Sequence, residues 1–169
     1  MQNQTVNGSG DLQKHYASGR STLLTLLIFT VVNVVLMVLG AGYYFVFSAS
    51  IPYYLMAFVL DLGGRTLGMI FLAIAVGFTA LLLLSWLLSK KQSGWMICGM
   101  VLVIVDTLVL LGLCLLIPGL FAENIMDFIF HAVAIYSTVQ AVIAAKKLKA
   151  QTPDFDQGAD PSYNGSPEF

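Results

Sequence analysis

The sequence predicts an all-α membrane protein, a four-transmembrane-helix bundle with a short outer interfacial helix between spans one and two. Three observations carry this. The chain of 169 residues is 58% hydrophobic and only 10% charged, whereas soluble domains carry roughly 25% charged residues. Its mean hydropathy is +0.85. Four separate runs each supply the roughly 20 apolar residues that a helix needs to cross a bilayer. A chain this apolar cannot surround a water-soluble core with polar side chains, so the lipid bilayer is its first partner. A net charge of −1 gives no basic field of the kind that attracts nucleic acid.

Residues 1–21 are polar and rich in Asn, Gln, Gly and Ser. They read as a disordered cytoplasmic N-terminus rather than a signal peptide, which would place its apolar stretch earlier. Span one covers residues 22–42. The connection that follows, YYFVFSASIPYYLMAFVLDLGGRT, is aromatic and apolar, with only Asp61 and Arg65 charged. Within it Ser50 reads as a helix cap, Pro52 falls in the first turn, and Gly63-Gly64 stops the helix after about three turns. Such a helix is too short to cross. It is expected to lie on the outer interface, with Tyr43, Tyr44, Tyr53 and Tyr54 as aromatic anchors at headgroup level. A ligand-binding lid or re-entrant loop is the alternative.

Span two covers residues 68–88, and the short KKQSG turn makes span three, 95–117, its antiparallel neighbour. Span four covers 125–145, and residues 146–169 form a basic juxtamembrane segment and a disordered tail. Cys98 and Cys114 lie sixteen positions apart on one helix, about 24 Å along its axis. That is too far for a disulfide. Both read as small apolar packing.

Orientation follows from the basic residues. Lys14, Arg20, Lys90, Lys91, Lys146, Lys147 and Lys149 all fall on one side, leaving Arg65 alone on the other. The positive-inside rule then places both termini in the cytoplasm and the chain in the cell membrane.

The stretch FVFSASIPYYL, after a first span containing VVNVVL, resembles small four-span bacterial integral membrane proteins. The resemblance covers about the first sixty residues. It implies the fold and brings no catalytic or binding residues. The first-span glutamate of small multidrug transporters, the loop cysteines of quinone-linked thiol oxidases and the paired aspartates of lipoprotein signal peptidases are all missing.

Four polar residues stand out inside the spans. Asn33 and Asp106 each lie eleven residues in from the start of their spans, near the midplane. His131 lies six residues into span four, with Asp127 one turn away on the same face. An acid at the centre of a span costs about 2.5–3.5 kcal/mol on insertion scales. Burial disfavours its charge, so a protonated Asp106 clasped to Asn33 or His131 is the structural reading. A proton or cation relay is the functional one. Asp106, Asp127 and His131 fall short of a metal site, and no cofactor motif is present. Small residues at Ala134, Ser137, Ala141 and Ala144 or Ala145 in span four, and Ala73 and Gly77 in span two, allow close helix packing.

The predicted function is therefore a non-catalytic partner, assembly or regulatory subunit, paired with another membrane protein or with a second copy. A small dimeric proton- or ion-coupled transporter or channel using Asp106 is the alternative. An intramembrane enzyme ranks third, because no nucleophile and base are paired.

Overall fold

The computed structural model of the chain describes residues 3–62 and 66–151. The tail expected to be disordered, the Gly63-Gly64 helix stop and Arg65 lie outside the described residues. Six helices follow in order: α1 Asn3–Val38, α2 Ser50–Leu62, α3 Thr66–Leu88, α4 Gly94–Leu116, α5 Leu120–Glu123 and α6 Ile125–Gln151. Four stretches, Ser9–Val38, α3, α4 and α6, are long and apolar enough to cross a membrane. The chain is a multi-pass membrane protein built as an all-α, four-span bundle.

Its surface is a belt of exposed aliphatics that includes Val76, Leu108, Leu115 and Leu116, while Asn33, Asp106, Asp127, His131 and Thr138 are buried. This is the arrangement that lipid demands. Apolar side chains are soluble outside, and polar groups must find partners inside. One end of the bundle carries Arg20, Lys90, Lys91 and the lysines of α6. The opposite end carries Tyr43, Tyr44 and α5. We call them the basic end and the aromatic end.

Of residues 1–21, expected to be disordered, those from Asn3 onward are corrected by helix α1, which is helical from there. Composition predicted an unfolded end, but tertiary contacts override it. Tyr16 and Leu23 are buried. The Tyr16 hydroxyl donates to the Ser89 carbonyl at 2.6 Å, and Arg20 Nε donates to Ser89 Oγ at 3.1 Å. Both donors reach the C-terminal end of α3, where carbonyls lack helical partners and the dipole is negative. Nearby, a Cβ on Gly19 would lie 2.3 Å from Ala141 Cβ. Only glycine permits α1 and α6 to pack this closely, and their interface is the most extensive in the bundle. Ala134, Ala141, Ala144 and Ala145 of α6 are buried, so span four's small stripe serves packing within the chain. Ala73 and Gly77 face outward instead. Helix α6 also runs past the expected end of span four, to Gln151, with Leu148 buried.

Helix α1 stops in a left-handed turn. Gly40 has φ +74°, Gly40 N–H donates to the Met37 carbonyl and Ala41 N–H to Leu36. This is a Schellman stop, and the positive φ is why glycine stands there. The chain then turns back into the bundle. Helix α2 begins beside Asp106, twelve residues from the start of α4 and ten from its end. The Phe58 and Phe71 rings meet at 5.9 Å, so α2 runs antiparallel to α3. At 1.5 Å per residue its 13 residues cover about 20 Å, enough to rise from mid-level to the aromatic end but not to span. The expected outer interfacial placement is therefore corrected. The helix is re-entrant, with its first turn packed among α1, α3 and α4.

Candidate functional site

A helix that starts inside a bilayer presents N–H groups that no water can satisfy. Helix α2 solves this without a local cap. The Ala49 N–H donates to Thr30 Oγ1 of α1 at 2.8 Å. The Ser50 N–H donates to Asp106 Oδ2 at 2.8 Å and the Ile51 N–H to Asp106 Oδ1 at 2.7 Å. The next residue is Pro52, which has no N–H. All donors of the first turn are thereby accounted for. The expectation that Ser50 caps the helix is corrected. Ser50 sits in the first turn, and the capping oxygens come from residues 19 and 56 positions away along the chain. Asp106 also places a carboxylate at the positive end of the α2 dipole, a favourable position for negative charge.

His131 completes the junction. Its Nε2 lies 2.8 Å from Asp106 Oδ2, and its Nδ1 lies 2.7 Å from the Asp127 carbonyl oxygen. A carbonyl only accepts, so Nδ1 carries a proton. One further proton then lies between Nε2 and Oδ2. Whichever atom holds it, the pair is neutral overall, as neutral His with a carboxylic acid or as imidazolium with a carboxylate. The protonated Asp106 read from the sequence thus becomes one shared proton in a buried bond. Both residues are nearly inaccessible, at 1% and 2% exposure.

Asn33 does not join them. Its Nδ2 donates to the Phe45 carbonyl at 2.6 Å and to Ser48 Oγ at 2.7 Å, and its Oδ1 accepts the Phe45 N–H at 2.7 Å. The side chain mimics a strand partner for one residue of irregular backbone, which lipid would otherwise leave unsatisfied. Asn33, Thr30 and Asp106 therefore hold successive parts of the same re-entrant segment. Thr30 was missed in the sequence. Its position three residues before Asn33, on the same helix face, was the available signal.

The tyrosines expected as headgroup anchors also make contacts within the bundle. Only Tyr43 is mostly exposed, at 68%. The Tyr54 hydroxyl donates to Asn124 Oδ1 at 3.1 Å, and the Tyr44 hydroxyl donates to Asp127 Oδ2 at 3.4 Å. Tyr53 packs between the rings of Tyr44 and Tyr54, with centroids 5.3 and 5.5 Å away. Burial and the Asp127 carboxylate push the Tyr44 hydroxyl up to about 12. The hydroxyls of Tyr44 and Tyr54 thus reach α6 and the turn before it, and the three rings pack together at the aromatic end of the junction.

Towards the basic end the connected polar chain stops, although the Thr138 and Ser85 hydroxyls are buried there. Below His131 and Asp106 the interior is filled by Val103, Leu82, Met96, Ala134 and Ala141. The Thr138 hydroxyl there donates to the Ala134 carbonyl of its own helix. Protein-family models, curated proteins and solved structures were compared with the chain, and none matches. The geometry must carry the functional reading alone. It can fix a half-helix, hold one proton in a buried bond and present oxygens at the aromatic end. Both ring nitrogens of His131 are engaged, so the imidazole has no free nitrogen with which to activate a nucleophile.

Proposed function

We propose that this protein is a non-catalytic subunit of the cell membrane, oriented with its basic end in the cytoplasm, that serves another membrane protein as an assembly or regulatory partner. The observation that carries this is the saturation of Asp106. Both of its oxygens are occupied by the first turn of α2 and by His131, so the carboxyl is used up in holding the fold. A relay needs a group that can turn to exchange protons with two sides. Here the interior between the junction and the basic end is mostly apolar, and the buried hydroxyls of Thr138 and Ser85 there make no hydrogen bond to Asp106 or His131.

The transporter reading retains one favourable observation. Half-helices that start at mid-membrane are a recurrent device of ion-coupled transporters, because their dipole ends face the transported charge. In this chain that end is already occupied by Asp106. Two measurements separate the readings. Copurification from native membranes is expected to bring down a membrane protein in stoichiometric amount. Proteoliposomes containing the purified chain are expected to hold a pH gradient as well as empty ones do. A leak in the wild type that Asp106→Asn abolishes would overturn the proposal in favour of transport.

A further inference from the structure

Among the described residues Asp127 is the one buried acid that the clasp leaves unused. Its backbone carbonyl serves His131, but its carboxylate does not. The residue is 95% buried, at 5% exposure. Among the described residues its side chain receives a single hydrogen bond, from Tyr44 at 3.4 Å, well beyond the 2.5–3.0 Å of a normal O–H···O bond. Among the described residues no basic side chain pairs with it; the ion pairs there are Lys14 with Asp11 and His131 with Asp106. The Asp106–His131 pair is neutral, so an ionised Asp127 adds one uncompensated negative charge to a nearly dry interior. Such a charge is costly unless a proton or a cation neutralises it.

The carboxylate borders a small polar cavity about the size of one water molecule. Tyr44, Ser48, Ser50, Tyr54 and Asn124, residues whose side chains carry hydroxyl or amide oxygens, line it beside Asp127. Hydroxyl, amide and carboxylate oxygens suit hard cations. Among the described residues no three His, Cys, Asp or Glu side chains gather, which removes the donor set of a transition metal. One carboxylate balances one positive charge, and the cavity admits one small ion. We propose that this pocket at the aromatic end binds a single sodium ion, with Asp127 as its anionic ligand and the hydroxyls of Ser50 and Tyr44 as neutral ones. The site goes beyond the subunit role and does not depend on it. Because Ser50 opens α2, a bound ion ties the re-entrant helix to α6 by a second link, independent of Asp106.

The test uses the purified full-length chain in detergent. Sodium chloride is titrated against choline chloride at constant ionic strength, with radioactive sodium binding and thermal unfolding as readouts. Saturable binding of one sodium per chain is expected, competed by protons as the pH falls. At a tenfold excess over the dissociation constant, the melting temperature rises by about 3–6 °C. Asp127→Asn loses both responses. Ser50→Ala keeps the backbone bond to Asp106 and weakens sodium binding about tenfold, so it decides the matter should Asp127→Asn fail to fold. Equal responses to sodium and choline, unchanged binding in both variants, or stability that follows pH alone would overturn the proposal. The last result would assign the pocket to a proton or a water.

Discussion

Replacing Asp106 probes the centre of the structure, and the geometry predicts that the amide is not a silent substitute. An asparagine has one acceptor oxygen where the aspartate presents two. Placed to accept the Ile51 N–H, its amino group faces the Ser50 N–H; flipped, it faces Ile51 instead. Either way one backbone donor at mid-membrane loses its acceptor. An unsatisfied buried donor costs about 1–3 kcal/mol by mutational measures. Intramembrane hydrogen bonds average nearer 0.6 kcal/mol and reach about 1.7. We therefore expect Asp106→Asn to cost about 1 kcal/mol. Asp106→Leu strands two N–H groups and the His131 nitrogen, three bonds in all, and is expected to cost about 2–5 kcal/mol on the same scale. For a chain of this size 1 kcal/mol corresponds to about 2–4 °C in melting temperature. Thermal unfolding in detergent should rank wild type above Asn and Asn above Leu, with Leu lower than wild type by about 4–20 °C. Amide exchange at Ser50 and Ile51 should accelerate in the same order. A leucine variant as stable and as well protected as the wild type would refute the assignment of Asp106 as the cap of α2.

Three further predictions follow from the same contacts. Gly19→Ala places a methyl 2.3 Å from Ala141 Cβ, so it should loosen the α1–α6 interface by a few kcal/mol. The double change with Ala141→Gly should recover most of that loss in the same unfolding assay. Asn33→Leu leaves the Phe45 backbone unpaired and is expected to expose residues 43–49 to impermeant labelling of engineered cysteines, with the four spans still in place. Tyr44 is held protonated in the folded state, its hydroxyl pushed up to about 12 from 10.0. The stability it contributes is therefore present below about pH 10 and lost as the pH rises towards about 12. A spectrophotometric titration should show one phenol ionising near pH 12 that is absent from Tyr44→Phe.

Much of this architecture was legible in the residues, for reasons that also explain what was not. Hydropathy reports how much apolar length a segment has, and that located the four spans. It does not report depth. The aromatic stretch from Tyr43 onward suits a helix lying on the surface as well as one descending into the bundle, and only its partners decide between them. Those partners are remote: Thr30 and Asn33 come from α1, and Asp106 comes from α4. A local capping rule chose Ser50 because it could not see a carboxylate 56 positions away. The pairing of Asp106 with His131 was legible, since both lie within one helical turn of mid-membrane. The helical start of α1 was not, because Tyr16 and Arg20 are ordered by Ser89 rather than by their own sequence neighbours. Asp127 was placed correctly beside His131, yet its lack of a close partner emerges only from the packed structure.

The central claim is that α2 is re-entrant, held by its N-terminus at the level of Asp106. Spin labels placed one at a time from Pro52 to Asp61, with depth measured by relaxation in lipid bilayers, test it directly. The account predicts a slope. Labels near Pro52 lie close to the midplane, and successive positions rise by about 1.5 Å per residue along the helix axis, less any tilt, so Asp61 lies some 10–13 Å nearer the surface. Uniform headgroup-level depth across all ten positions, with only the 3.6-residue oscillation of a helix lying flat, would contradict it.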